Sequence, residues 1–478
     1  MGLYRFTLAA IVVMFHFGNF PWLTGRVAVY GFYFVSGVLI TRVLDTHYLS
    51  SVGGIGRFYV NRALRLIPLL AVVVIATWTL VALWPVPPDE ARPNRLPPAV
   101  DAADLTAGLR RAILPPVEAH AFEGYPFLAL EMPTDLVPPA WTIGVELLFY
   151  LAAPFIVLGL RRGHKALWMI LAASLGLFAW GLHVAAGRFE VIDDQLYKNA
   201  VSSLAFFVIG AGAYVLSRRV SLRFRYSLTA ATIAAFTVYL AMLSRDEPWS
   251  SSEPTASAYA THLLAMIPLG MMVVLTDVPA RWKWFDRNVG NLSYGIYLFH
   301  YLANALLIQL GVERFATVDR FAFGLFTLLL TIGCAALGYV LIEAPIERWR
   351  ARVRRAPIEA TSTAPRRVVP ATARFNWAFA ALPVCMFLAA TAVDAGYLTS
   401  KPTVVGIRWH AGVDDAARRA LERRYSLECA ARDESAPDRR TYTYCTWDTS
   451  IDTLRRIVQD PAVEDTNHID RQRFVIIP

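Results

Sequence analysis

Long apolar stretches alternate with shorter polar segments along almost the whole chain. A helix needs about 20 predominantly apolar residues to cross the hydrocarbon core of a bilayer. Eleven stretches are of this kind, at residues 6–23, 27–44, 66–85, 141–160, 166–186, 199–216, 226–243, 259–279, 291–311, 320–342 and 376–397. The pattern therefore predicts an all-α polytopic membrane protein.

The composition agrees with this pattern and excludes several classes of protein. Of the 478 residues, 56% are hydrophobic and only 17% are charged, whereas a soluble domain carries about 25% charged residues. A soluble enzyme and a disordered chain are therefore excluded. An outer-membrane barrel is excluded as well, because its strands alternate apolar and polar residues over ~10 positions.

The basic residues occupy alternate loops, which gives the chain a direction across the membrane. The loops on one side hold 21 Lys and Arg residues, whereas the short loops on the other side hold six. Cytoplasmic loops carry the excess of positive charge, so the N-terminus is predicted to be cytoplasmic and the C-terminal segment extracytoplasmic. Topology thus accounts for the net charge of +9, and we predict no nucleic-acid partner.

The polar segments divide the chain into four parts. Residues 1–346 are predicted to form a ten-helix transmembrane bundle, followed by a basic cytoplasmic linker at 347–375 and the eleventh span at 376–397. Residues 398–478 predict a small α/β extracytoplasmic domain, with strands at 403–409, 441–447 and 471–477 and helices at 414–427 and 450–458. The proline-rich outer segment 86–140 predicts an ordered loop over the membrane.

Two of the four cysteines lie in the polar C-terminal segment. The predicted topology exposes Cys429 and Cys445 to an oxidising compartment, which favours a disulfide between them. The alternative is a pair of buried free thiols. The chain has no C-x-x-C pair, and we predict no metal site.

The first span carries two basic side chains on one face. Arg5 and His16 are eleven residues apart, which brings them to within about 20° of each other around a helix and separates them by about 16 Å along its axis. Ionisable residues inside a span are costly and are functional candidates by default. The alternative is an anchoring Arg5 and a His16 that bonds a backbone carbonyl.

Further polar side chains are expected at the same depth. His300 lies near the middle of the ninth span, and Tyr297 lies one turn before it. Two histidines at mid-membrane depth predict one shared polar cavity, although His300 could also serve a structural hydrogen bond.

A carboxylate lies near the outer end of the fourth predicted span. Glu146 lies about one and a half turns into the fourth span, and Tyr150 shares its face. Glu146 is predicted either to hold a histidine or a substrate hydroxyl, or to pair with an arginine such as Arg26. Tyr150 and Tyr297 are the predicted substrate contacts.

The basic loop before the third span places three arginines on one side of a helix. Arg57, Arg62 and Arg65 fall within an arc of about 140°, and planar guanidinium groups suit the paired oxygens of phosphate. The alternative is ordinary cytoplasmic positive charge. Glu343, at the inner end of the tenth span, is the predicted structural partner of one of these arginines.

Six phrases of the chain, in order, resemble the acyltransferase-3 family of integral membrane O-acyltransferases over about residues 1–350. They are RFTLAAIVVMFH, GFYFVSGVLIT, RFYVNRALRLIP, WTIGVELLFYLAAP, NLSYGIYLFH and IEAPIERWR. Many members carry an Asp just before the second phrase, where this chain has Tyr30, so we assign that position no role.

The resemblance implies transfer of an acyl group, most commonly acetyl, from cytoplasmic acyl-CoA to a hydroxyl of an extracytoplasmic glycan or glycolipid. It implies His16, Glu146 and His300 as catalytic residues; His16 is the predicted base, and the alternative is that it first carries the acyl group itself. Arg5, Arg57, Arg62 and Arg65 would hold the CoA phosphates.

A cell-envelope enzyme of this kind would lie in the bacterial inner membrane, with the C-terminal domain in the periplasm. That domain could recruit glycan-assembly proteins. The rival hypothesis is a secondary transporter or flippase for a charged lipid or sugar, although such proteins are built from repeated halves that are not visible here.

Overall fold

The computed structural model describes most of the predicted bundle and part of the C-terminal segment. The described residues are 1–18, 22–49, 53–85, 96–97, 99–113, 117–122, 125–130, 136–185, 198–217, 280–312, 320–354, 403–425, 427–432, 440–446, 456–457 and 460–467. The predicted spans at 226–243, 259–279 and 376–397 lie outside them.

Within these ranges the chain is mostly helical. The helices are α1 (Gly2–Phe17), α2 (Trp22–Val43), α3 (Gly54–Leu83), α4 (Ala102–Ile113), α5 (Trp141–Arg161), α6 (His164–Ala185), α7 (Ala200–Ser217), α8 (Lys283–Gln309), α9 (Arg320–Gly338), α10 (Ala344–Arg354) and α11 (Asp415–Arg424). The strands are β1 (Val117–Phe122), β2 (Tyr125–Leu130), β3 (Thr403–Trp409), β4 (Leu427–Arg432), β5 (Thr441–Thr446) and β6 (Val463–Asn467).

Five helical stretches in the described residues are long and apolar enough to cross a membrane. They are Gly25–Tyr48, Gly54–Leu83, Pro138–Arg161, Ala200–Ser217 and Phe321–Arg354. Two shorter apolar helices, Gly2–Phe17 and Trp168–Val184, accompany them. The prediction of a helical, multi-pass membrane protein is confirmed, whereas the exact number of spans stays a prediction.

Helix α8 is enclosed by other helices. Every residue from Gly295 to Ala305 is buried, and α8 packs against α1, α3 and α9. Helix α8 runs parallel to α1, because Arg5 bonds Ser293 at one end and His16 reaches Tyr301 at the other. A helix with this many polar side chains is stable in a bilayer only when neighbouring helices shield them from lipid.

Helices α2 and α7 cross closely through two glycines. A Cβ atom at Gly37 would lie 2.1 Å from the carbonyl oxygen of Phe207, and one at Gly210 would lie 2.1 Å from that of Phe34. Tyr30 is fully buried at this interface, with its ring centroid 4.3 Å from that of Phe206. Small residues let helix backbones approach in this way inside membranes.

The tenth predicted span continues further than its apolar pattern indicates. Helix α9 widens into a π turn at Tyr339–Glu343 and continues as α10 to Arg354, whereas the apolar run predicts an end at 342. Pro345 lies two residues after the last residue of the turn and cannot donate a backbone hydrogen bond. The π turn keeps the helix continuous past this proline, and it carries Glu343.

The outer segment 86–140 contains secondary structure where it is described. Helix α4 packs on α3, and β1 and β2 form an antiparallel hairpin. A short helical turn at Pro138–Ala140 then leads directly into α5. The described parts of the predicted ordered loop are thus a helix, a hairpin and a turn.

The described residues after 402 form a four-stranded antiparallel sheet in the order β4, β5, β3, β6, with α11 beside it. The predicted strands at 403–409 and 441–447 and the predicted helix beginning at 414 are present. The prediction that the helix extends to 427 is wrong, because it ends at Arg424 and Leu427 begins β4. Strand β6 was not predicted, and the predicted strand 471–477 lies outside the described residues.

The close packing at Gly37 and Gly210 predicts that alanine lowers the melting temperature at these two positions but not at a glycine without close neighbours. Gly37→Ala and Gly210→Ala should each lower the melting temperature of the detergent-solubilised protein, since overpacking costs about 1–3 kcal/mol. Gly176→Ala on α6 meets no atom within 4 Å and should raise the melting temperature slightly through helix propensity. Equal melting temperatures for the three variants would contradict the crossing.

Candidate active site

A pocket with polar walls lies between α1, α2, α3, α5 and α8. Its cavity volume is about 140 Å³. Eleven of its lining residues carry charged groups, hydroxyls or phenols: Arg5, Tyr33, Ser36, Arg62, Arg65, Thr142, Glu146, Tyr150, Ser293, Tyr294 and Tyr297. Apolar side chains of α2, including Val29 and Phe32, complete the wall.

Arg5 ties α1 to α8 in the wall of this pocket. Its Nη2 donates to Ser293 Oγ at 2.9 Å and also to the carbonyl oxygen of Gly290, and its Nε donates to Ser293 Oγ at 3.2 Å. The helices approach closely beside this contact, since a Cβ at Gly290 would lie 2.4 Å from the Cα of Gly2. Arg5 is therefore held in place before any ligand binds.

Arg65 forms an ion pair in the same wall. Its Nη1 lies 2.7 Å from Glu343 Oε2, and its guanidinium lies 5.5 Å from the ring centroid of Tyr294. The Tyr294 hydroxyl donates to the carbonyl of Leu66 at 2.7 Å. The carboxylate of Glu343 balances the charge of Arg65 and fixes its direction.

Arg62 makes no ion pair with any residue that the structure describes. Its guanidinium lies 5.7 Å from the ring centroid of Phe58 and 5.8 Å from that of Tyr150. Its Nη2 donates to Asn61 Oδ1 at 3.2 Å, while its buried Nε lacks a partner within the described residues. Arg57, the third arginine of the predicted arc, is not among the residues that line the pocket.

Glu146 is held by hydroxyl groups. Ser36 Oγ donates to its Oε1 at 2.8 Å, and the Tyr150 hydroxyl donates to the same oxygen. These partners are neither a histidine nor Arg26. The carboxylate therefore lies in one pocket with three guanidinium groups.

Next to this pocket, the two predicted mid-membrane histidines meet. The ring centroids of His16 and His300 are 5.3 Å apart with an interplanar angle of 22°. The Tyr301 hydroxyl lies 3.2 Å from His16 Nδ1. His300 is fully buried. Helices α1 and α8, which are far apart in sequence, thus bring these imidazoles into contact.

The protonation of the His300 ring follows from its hydrogen bond. Its Nδ1 lies 2.7 Å from the carbonyl oxygen of Tyr297, and a carbonyl oxygen only accepts. Nδ1 must therefore carry the proton, which leaves Nε2 of the neutral ring with its lone pair. This Nε2 is buried and bonds no group in the described part of the chain.

Tyr297 connects the histidine pair to the arginine pocket. It lines the pocket, and its ring centroid is 5.9 Å from that of His300. Thr142 Oγ1 donates to the Tyr297 hydroxyl at 3.0 Å, which fixes that hydroxyl between α5 and α8. Neither histidine is among the residues that line the pocket, so Tyr297 is the residue that links the pocket lining to His300.

Sequence reasoning missed six hydroxyl groups of this site, including those of Tyr33 and Tyr294 in the pocket wall. Ser36, Thr142 and Ser293 lie inside the phrases that carry the family resemblance, and Tyr301 directly follows His300. Neutral hydroxyls are common in spans, so only their position inside those phrases could have indicated them.

The predicted disulfide falls on side chains that the structure does not describe. The side chains of Cys429 and Cys445 are not described, although their strands β4 and β5 are neighbours and Glu428 pairs with Cys445. Their disulfide stays a prediction. The described residues contain no group of three or more His, Cys, Asp or Glu side chains that could hold a metal ion.

Comparison with known protein families identifies the chain. Residues 2–341 match the family model of an acyltransferase domain. The chain belongs to this acyltransferase family. It is accordingly an O-acyltransferase of the membrane-bound kind.

Two bacterial proteins resemble the acyltransferase along much of its length. Nodulation protein 10 of Rhizobium leguminosarum bv. viciae is 28% identical over 324 residues, which cover 67% of this chain and 81% of that protein. An uncharacterized protein of Aquifex aeolicus (strain VF5) is 22% identical over 218 residues, which cover 45% of this chain and 89% of that protein. No solved structure matches the acyltransferase significantly.

The ion pair of Arg65 predicts a loss of stability when its carboxylate is removed. Glu343→Gln leaves a mostly buried guanidinium without its counter-charge, so the free energy of unfolding should fall by up to about 3 kcal/mol. Asp45→Asn is the control, since the guanidinium of its partner Arg161 is 45% exposed and water can solvate it once the carboxylate is removed, so the change should be small.

Thermal unfolding in detergent measures both effects. The double variant Arg65→Gln with Glu343→Gln should recover part of the lost stability, because it removes both charges. A double variant less stable than the sum of the two single changes would argue against the pair.

Proposed function

We propose that this acyltransferase moves an acyl group, which we take to be acetyl, from cytoplasmic acyl-CoA to a hydroxyl of an extracytoplasmic glycan or glycolipid. One observation carries the proposal: a pocket lined by three guanidinium groups adjoins a pair of stacked histidines, one of which presents a free lone pair. Phosphate binding and proton abstraction are the two tasks that such a transfer requires.

Arg62 is the best placed arginine for the phosphates of CoA. Arg65 is balanced by Glu343, and Arg5 is bonded to α8. Arg62 has no acidic partner within the described residues, and its Nε is free to donate. A guanidinium stacked between aromatic rings loses little entropy when it binds a phosphate group in a bidentate manner.

The histidine pair supplies the base. As the acceptor oxygen attacks the thioester carbonyl, its proton moves to His300 Nε2. The new C–O bond forms, the C–S bond breaks, and the CoA thiolate leaves and takes the proton back from the imidazolium. The sequence assigned the base to His16, but the lone pair on Nε2 favours His300, with His16 stacked against it as the group that stabilises the imidazolium.

Glu146, Tyr150 and Tyr297 line the pocket together with the three arginines. We propose that they contact the pantetheine arm and the thioester. Their positions suit a donor that enters from the side of Arg5 and Arg62, which the charge of the loops predicts to be cytoplasmic.

The acceptor and the further partners follow from the family and from the predicted topology. An acceptor that arrives from the opposite side would be extracytoplasmic, and a glycan or glycolipid offers the hydroxyl. The segment 398–478 would then stand on the acceptor side and could recruit glycan-assembly proteins. The rival hypothesis of a transporter or flippase is set aside, because the family is one of acyltransferases.

Arg62→Lys tests the donor site. The substitution keeps the charge and the topology but replaces a planar fork with a point charge. We expect a KM for acetyl-CoA about tenfold higher, as for the loss of one charge-assisted hydrogen bond. CoA release by the purified protein measures it. Arg162→Lys, at the end of α5, is the control, and an unchanged KM in both variants would refute the phosphate site.

His300→Gln tests the base. Glutamine retains a polar side chain of similar size but cannot accept a proton at neutral pH. We expect kcat to fall by about 10²–10⁴, with normal amounts of protein in the membrane. His183→Gln, an exposed histidine of α6, should have no effect. If His300→Gln is nearly as active as the parent while His16→Gln is inactive, the base is His16.

A further inference from the structure

Asn304 is a buried amide whose side chain has no partner in the described structure. It is fully buried, and neither Nδ2 nor Oδ1 makes a hydrogen bond. An unsatisfied buried polar group is costly, and more so where the surroundings are apolar. Such a group in a native protein requires an explanation.

The other buried asparagines in the described residues each have at least one hydrogen-bond partner, although Nδ2 of Asn199 has none. Asn61 donates to the carbonyl of Arg350 and accepts from its guanidinium, and Asn199 Oδ1 accepts from the backbone N–H of Val201. Each therefore has a structural task. No such task is available for Asn304 within the described residues.

The position of Asn304 suggests what it binds. Residues 297, 300, 301 and 304 follow the spacing of one helix face. Along that face Tyr297 lines the arginine pocket, His300 comes one turn later, and Asn304 comes one turn after His300. Asn304 thus lies beyond the histidines, on the side away from the arginines.

Helix α1 stops at this level. It accompanies α8 from Gly2 and ends at Phe17, whose ring contacts those of His300 and Tyr301. His16 and Phe17 are therefore the last residues that α1 contributes as a helix to this face of α8. Asn304 follows at the point where the helical neighbour ends.

We propose that Asn304 binds the acceptor and positions its hydroxyl on Nε2 of His300. A carboxamide offers a donor and an acceptor together, which suits two adjacent hydroxyl groups of a sugar. The inference rests on the proposed function and adds its acceptor subsite. Donor and acceptor then approach the histidines from opposite ends of one line of residues on α8.

Asn304→Leu separates acceptor binding from donor chemistry. Transfer is measured in everted vesicles of the producing bacterium with radiolabelled acetyl-CoA, as label in the envelope glycans. Release of CoA without acceptor, by hydrolysis in the purified full-length protein, measures the donor site alone. We expect transfer about tenfold lower than in the parent, the effect of one lost hydrogen bond, while hydrolysis stays within about twofold.

The melting temperature of Asn304→Leu provides a second test. Leucine removes an unsatisfied amide, so the melting temperature should equal or exceed that of the parent. Asn304→Ala serves if leucine does not fit. Thr331→Val is the control, because Thr331 is fully buried and bonds only a backbone carbonyl of its own helix; its transfer should be normal.

The two proposals fail in different ways. A parent protein that releases no CoA and transfers no label refutes the proposed function, and the acceptor subsite with it. A parent active in both assays, with Asn304 variants that transfer normally, refutes only the subsite. Equal losses of transfer and hydrolysis in both Asn304 variants also refute it, since the residue would then serve the donor or the fold.

Discussion

The interior of a bilayer offers no hydrogen-bonding partners, so any polar group of α1 or α8 that finds none inside the protein is costly. The two helices meet this constraint by packing in parallel, with Arg5 on Ser293 and His16 beside His300 and Tyr301. The close approach at Gly2 and Gly290 makes these bonds possible. Neighbouring helices then enclose α8, and the polar pocket forms where they meet.

The same constraint explains which parts of the site could be predicted from the sequence. The eleven-residue separation of Arg5 and His16 fixes their common face by helix geometry alone. The similar depth of His16 and His300 follows from their positions within two apolar runs, and the structure places their rings in contact. Charge inside a span is rare enough that Glu146 stands out without any tertiary information.

The remaining features depend on packing that no local pattern contains. Arg62 and Arg65 line the pocket, whereas Arg57, which belongs to the same 140° arc, does not. The lone pair on His300 depends on the Tyr297 carbonyl, and the isolation of Asn304 depends on what surrounds it. Strands β4 and β6 escaped prediction because neither segment shows a clear apolar alternation.

The central claim is that one cavity brings a phosphate-bearing donor to the histidine pair. A structure determined with a non-hydrolysable acetyl-CoA analogue tests it most directly. The account predicts a phosphate group within hydrogen-bond distance of Arg62, with the acyl carbon about 3–4 Å from a hydroxyl or water bonded to His300 Nε2. An analogue bound elsewhere, or one whose acyl carbon lies beyond about 8 Å from both imidazoles, would contradict it.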